Sequence, residues 1–323
     1  MSFEGPPAPL LDRRLVYVVV AIVVIGVGAV LLWPAPKPEA IDLVASLEPK
    51  APKTLTLDAA SVRALGNDPL VAAERIEVRG EVVMPDDRIV VANALVFAPD
   101  SRLVVRGGTL TVIASLASNA SIDASGPDGK DGAAAGGGGA DGRTGGALYV
   151  AVGRVEGAQL VARGGGGGSG RAGANGVRGQ DGYCGPHGYR VAERGKAGGD
   201  GGAAGDGGQG GFIKVWLAEG KPELHVEGGA AGRPGKGGNG GDGGKGCHGV
   251  RGKQDNQAPG QQGGQGRPGD AGGSGATTLR WVDFSNVEAA FAAWATSRER
   301  TPAALRDALL RLPLAPEPAP PGS

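Results

Sequence analysis

Apolar residues follow three patterns along this chain. From Leu15 to Trp33 they are continuous, LVYVVVAIVVIGVGAVLLW, without a charge. From about Ile76 to Phe284 they recur as short alternating runs: VANALVFAPDSRLVVRG (91–107), LTVIASLASNASIDASG (110–126), LYVAVGRVEGAQLVARG (148–164) and FIKVWLAEGKPELHVEG (212–228), with a truncated copy, TTLRWVDF, at 277–284. Each unit holds an apolar run, a polar turn, a second alternating run and a closing glycine. Period-two alternation argues for strands. Repetition argues for a stack in which each unit buries its apolar face on its neighbours. A short β-solenoid, mostly β, is therefore expected over 56–284. Helical spacing appears at the C-terminus, where Val287, Phe291 and Trp294 share one face after Ser285-Asn-Val-Glu288, and Leu305, Leu309 and Leu312 follow Thr301-Pro302. These helices (285–312) are expected to cover the open end of the stack, ahead of a disordered tail at 313–323. A short helix is also expected near Asp58–Leu65, ended by Gly66.

Between the units lies glycine at every third position. Gly164 to Gly188 is an unbroken series, and Gly229–Gly244 and Gly260–Gly275 are others. A three-residue period belongs to the polyproline-II helix, and glycine along one edge lets a neighbouring backbone approach. The insertions at 127–147, 165–211 and 229–276 are long enough to leave the stack and return, so three hairpin-like polyglycine-II excursions are expected. Their reversals fall where the period fails, at Ala133–Ala135, Tyr189–Arg194 and Lys253–Pro259. An arm running Gly164–Gly188 would extend about 78 Å at about 3.1 Å per residue. Doubled glycine, as in GGNGGDGGKG (237–246), suits interior arms; single-glycine triplets suit outer ones.

The Gly-x-x and GGx runs resemble the polyglycine-II bundles of glycine-rich antifreeze proteins and phage tail-fibre tip adhesins. Together with LVVRGG-type strands, they are also similar to bacterial collagen-like repeat proteins. The resemblance implies an architecture and no activity.

The continuous run 15–33 is close to the length a bilayer requires. Arg13 and Arg14 precede it and only Lys37 lies close beyond, which orients the N-terminus to the cytoplasm. The expected layout is a cytoplasmic tail (1–14), a single-pass transmembrane helix (15–33), a Pro-rich linker (34–55), and the bulk of the chain in the periplasm of a bacterial inner membrane; a cleaved secretory signal, twin-arginine through Arg13-Arg14, is the alternative for the apolar run.

Formal net charge is zero and aromatics make up 4% of residues, so neither a global field nor a stacking platform points to nucleic acid. No P-loop is present, and GGNGGD (237–242) lacks the large aliphatic of a calcium-binding nonapeptide. Asp86, Asp87, Asp100, Asp123, Glu156, Glu219 and Glu223 fall mostly at turns, where acids serve structure. Asp200, Asp206 and Asp242 are expected to face solvent, and His225 to be structural. No cofactor, metal or small-molecule substrate is indicated, and no catalytic role. Cys184 and Cys247 occupy equivalent places near the ends of the two long excursions, as a disulfide between arms requires. With His187 and His248 they also allow a Cys₂His₂ zinc site, and two free thiols remain open. The reading is a membrane-anchored scaffold, a rigid spacer or docking module with protein partners in the envelope. Tyr183, His187, Tyr189, Arg190 and Arg194 are its candidate contacts. A surface adhesin for glycan or protein is the alternative.

Overall fold

The computed structural model describes residues 42–45, 47, 50–66 and 68–317. The expected tail and transmembrane helix (1–33) lie outside them. No helix among the described residues is long and apolar enough to cross a membrane. The single-pass inner-membrane placement with a periplasmic bulk is accordingly withdrawn.

The apolar runs form β1 (Thr54–Leu57), β2 (Leu70–Val78), β3 (Glu81–Val83), β4 (Arg88–Phe97), β5 (Arg102–Val104), β6 (Thr109–Asp123), β7 (Ala147–Val161), β8 (Phe212–Glu219), β9 (Glu223–His225) and β12 (Ala276–Trp281). All ten belong to one parallel sheet, with principal order β1-β2-β4-β6-β7-β8-β12; β3 and β5 join beside β6, and β9 beside β7. This corrects the expected β-solenoid: the architecture is a parallel α/β sheet with few helices. The difference has a physical source. Two runs separated by a polar turn read as two sides of a coil, but β6 and β7 span both runs as single strands of 15 residues. They pair in one register from Thr109↔Ala147 to Asp123↔Val161. The polar turns become bends at left-handed residues, Asp100, Asn119, Gly157 and Gly220.

Parallel sheets bury both faces, and their strands lose the polar alternation. In β4 (RIVVANALVF), Val90, Ala92 and Leu95 enter a core with Leu110, Ile122, Leu160 and Ile213. Ile89 and Val91 point the other way, into a second core with Ile113, Ala151 and Trp216. That second core is roofed by α2 (Phe284–Thr296) and α3 (Pro302–Leu310), which contribute Val287, Phe291, Trp294, Leu305 and Leu309. The C-terminal helices therefore cover a face of the sheet and do not close its end. The cap of α2 is Asp283, whose carboxylate accepts from the Ser285 amide, in place of the expected Ser285. At the other end, α1 (Ala59–Ala64) is capped by Asp58, with Ser61 reciprocating.

Parallel neighbours need crossover connections, and the glycine segments supply three of them. They run as six arms: one (126–132) and two (137–146) link β6 to β7; three (164–182) and four (195–211) link β7 to β8; five (228–246) and six (260–275) link β9 to β12. Their amides bond carbonyls of the same chain, which also corrects the collagen-like reading. The amides of Gly167, Gly170, Gly173, Gly176 and Gly179 donate to Ala230, Arg233, Lys236, Asn239 and Asp242, one bond per three residues. A second set joins opposed arms, as from Gly205 to Gly168 and Gly208 to Gly165.

The arms keep the register of the sheet. The pair Gln159↔Glu223 of β7 and β9 continues in arms three and five as the Asn239 amide donating to the Asn175 side chain, 64 residues apart. The pair Phe212↔Ala276 of β8 and β12 continues in arms four and six as Asp270 donating to Asp206, also 64 apart. The glycine array is the sheet carried on in another backbone conformation.

Candidate docking tip

Arms three and five reach past the short first excursion, which reverses at Ala134–Gly137. Their ends form two adjoining hairpins. In the first, Tyr183 and Arg190 exchange backbone hydrogen bonds around the Gly185–Gly188 turn. In the second, β10 (His248–Gly249) pairs antiparallel with β11 (Gly252–Lys253). The reversals come several residues earlier than the expected 189–194 and 253–259. Gly185 and Gly188 keep the sequence period but serve the turn.

Three links fuse the hairpins. Cys184 and Cys247 form a disulfide, with Cα atoms 5.8 Å apart. The Gln254 side chain accepts from the Ala192 amide (2.7 Å) and donates to the Arg190 carbonyl (3.0 Å). Gly249 lies so close to Cys184 that an added Cβ would stand 2.2 Å from its carbonyl oxygen. The disulfide takes both thiols, which leaves a zinc site without its thiolates.

Below the turn, the Asp181 carboxylate accepts from the Lys245 amide (2.7 Å) and pairs with Arg178 (2.6 Å). The amide, then the guanidinium, hold this carboxyl below the usual carboxylate range. Arg190 donates through Nε and Nη2 to the Asp181 carbonyl. Arg194 donates through Nε to the Pro259 carbonyl. Both arginines thus brace the tip, a role that residue type alone does not distinguish from that of free contact groups.

Tyr183 (45% exposed) and Tyr189 (50%) stand in solvent, as do Val191 (58%) and Val250 (83%). Val177 is exposed just below them; elsewhere only Val83, Leu279 and Leu314 are comparable among the described residues. Exposed apolar groups concentrated in one place mark interaction sites. His187 is exposed on the same turn. Val191, Val250 and Gln254 were not among the sequence candidates; single residues within low-complexity segments give no pattern to find them by.

The other candidates serve the fold. Asp87 and Asp100 sit at left-handed turn positions, and the Asp86 carboxylate accepts from the Thr109 and Asp87 amides. Asp200 and Asp206 do not merely face solvent: each accepts an amide of arm six, from Gly264 and Asp270. His225, in β9, lies against Gln159, Arg163 and Glu227. Arg163 and Glu227 pair at 2.7 Å, and this bond is the main reason the Glu227 carboxyl falls from an ordinary 4.5 to about 2.

No protein-family model, curated protein or solved structure matches the chain. The site and its chemistry alone carry the reading that follows.

Proposed function

We propose that this protein is a structural docking module, in which a rigid glycine bundle holds a protein-binding tip away from the folded sheet. One observation carries the reading: the exposed apolar side chains gather where two hairpins are fused by a disulfide, a bridging glutamine and two bracing arginines. A surface with so many internal ties is pre-organised, and pre-organisation lowers the ordering cost of binding.

The test is photo-crosslinking in cells from position 189 or 250, compared with position 83 on β3. A protein crosslinked at both tip positions and absent from position 83 supports the reading. Equal labelling at all three, or none at the tip, contradicts it.

A further inference from the structure

We infer that the tip recognises an acidic protein segment carrying apolar side chains. This rests on the docking reading and names the chemistry of the partner. Several charged groups at the tip are already engaged. Asp181 is taken by Arg178 and the Lys245 amide, and Arg190 and Arg194 are tied to backbone carbonyls. Lys245, Arg251 and Lys253 are exposed and have no ion-pair partner among the described residues. The exposed acids beside them are Glu193, Asp242 and Asp255, while Arg190 and Arg194 keep their positive charges when they donate to neutral carbonyls. A chain whose formal net charge is zero thus presents a net positive charge, five cations against three acids once the Arg178–Asp181 pair is set aside, where its exposed tyrosines and valines lie.

The arrangement suits protein more than the other polyanions. Val250 and Val191 offer no π-face for a base, and single-stranded nucleic acid binding relies on successive aromatic platforms. Apolar side chains on the same tip as cations fit a segment that alternates carboxylates with leucine or aromatic residues. Val250 stands at the β10–β11 turn directly before Arg251, in His248-Gly-Val-Arg-Gly-Lys253.

The experiment measures fluorescence anisotropy of labelled synthetic peptides against the full chain with its disulfide intact. The probe is a repeating Glu-Leu-Glu-Tyr peptide. Comparison probes are Lys-Leu-Lys-Tyr, Glu-Ser-Glu-Ser and oligothymidylate of similar length. The Glu-Leu-Glu-Tyr peptide should bind best and weaken as salt is raised. Arg251→Glu with Lys253→Glu should weaken it by about tenfold or more, Val250→Ser by several-fold, and Lys221→Glu on the β8–β9 turn not at all. Equal binding of the basic or the serine peptide, tighter binding of oligothymidylate, or indifference to both tip variants would overturn the inference. If tip crosslinks to a protein persist in cells while the acidic probe is ignored, the docking reading stands and the partner chemistry is wrong.

Discussion

Glycine in this chain is a packing residue, and its placement follows how many neighbours each arm has. In arm three, GGGGGSG (164–170) lies beside arms one and two as well as four and five; amides donate to backbone carbonyls at two of every three positions, and those of Gly166 and Ser169 donate to the Asp128 and Asp131 carboxylates. Past Arg171, arms one and two have ended, and both the bonding and the sequence relax to one glycine in three. Adjacent glycines should therefore differ sharply. A Cβ at Gly165 would stand 2.1 Å from the Pro127 carbonyl oxygen, whereas at Gly166 the nearest atom is 3.4 Å away. Gly165→Ala should cost about 3 kcal/mol or more, since backbone cannot swing aside, and Gly166→Ala should be within about 1 kcal/mol of wild type. Chemical denaturation of the two variants checks this; equal stabilities would refute the packing assignment.

Proline obeys the same logic in reverse. Pro234 and Pro268 follow Arg233 and Arg267, whose carbonyls accept from Gly170 and Ala204. One register step inward, Gly170 and Ala204 donate their amides to a further arm, but no arm lies beyond five and six, so a missing N–H costs nothing there. Ala204→Pro should disrupt the bundle, while Ala271→Pro on arm six should leave the melting temperature near wild type. At the charged edge, the folded Glu227 value lies below the unfolded one. Its contribution is complete above about pH 4.5 and is lost as pH falls toward about 2. Both partners are half exposed, so the effect is modest. Glu227→Gln should flatten the acid limb of the curve of melting temperature against pH, and leave its neutral region unchanged.

Among the elements, the strands were legible and their assembly was not. Alternation located the second runs of the repeat, LVVRG (103–107) and LVARG (160–164), yet period-two patterning is blind to which strand a run will pair with. Asn119 and Gly157 let the chain bend without leaving the sheet, and neither residue type announces that choice. The C-terminal helices were readable from Val287, Phe291 and Trp294, but not their seat. That depended on Ile89, Ile113 and Trp216 forming a second core on the opposite face of the sheet, which period-two alternation does not reveal. Phe291→Ala, in the middle of that roof, should cost about 3–5 kcal/mol and shift Trp216 emission to the red as the face opens. The glycine period revealed three excursions, and the breaks in it gave their reversals to within several residues. At the tip, Tyr183, Tyr189 and the cysteines could be picked out as rare residue types. The bracing roles of Arg190 and Arg194 could not, because their acceptors, the Asp181 and Pro259 carbonyls, are backbone atoms without a sequence signature.

The molecule as a whole is one register carried through two backbone conformations. The sheet supplies the apolar core, and the glycine arms have almost none; their cohesion comes from paired amides, close backbone contact and the Asp, Asn and Gln side chains that accept arm-to-arm bonds. The disulfide lies at the far end of this array, where packing is thinnest, and its closed loop contributes about 2–4 kcal/mol by restricting the unfolded chain. Reduction should raise hydrogen exchange in both tip hairpins and leave β6 and β7 protected.

The most direct test is residue-resolved amide exchange along the glycine arms. The account predicts slow exchange at Gly201, Gly205 and Gly208 in arm four, whose amides are bonded, and fast exchange at Gly237, Gly240 and Gly243 in arm five, whose amides have no acceptor among the described residues. Uniformly fast exchange across all six would mean that the segments are flexible linkers, and the rigid array would be wrong.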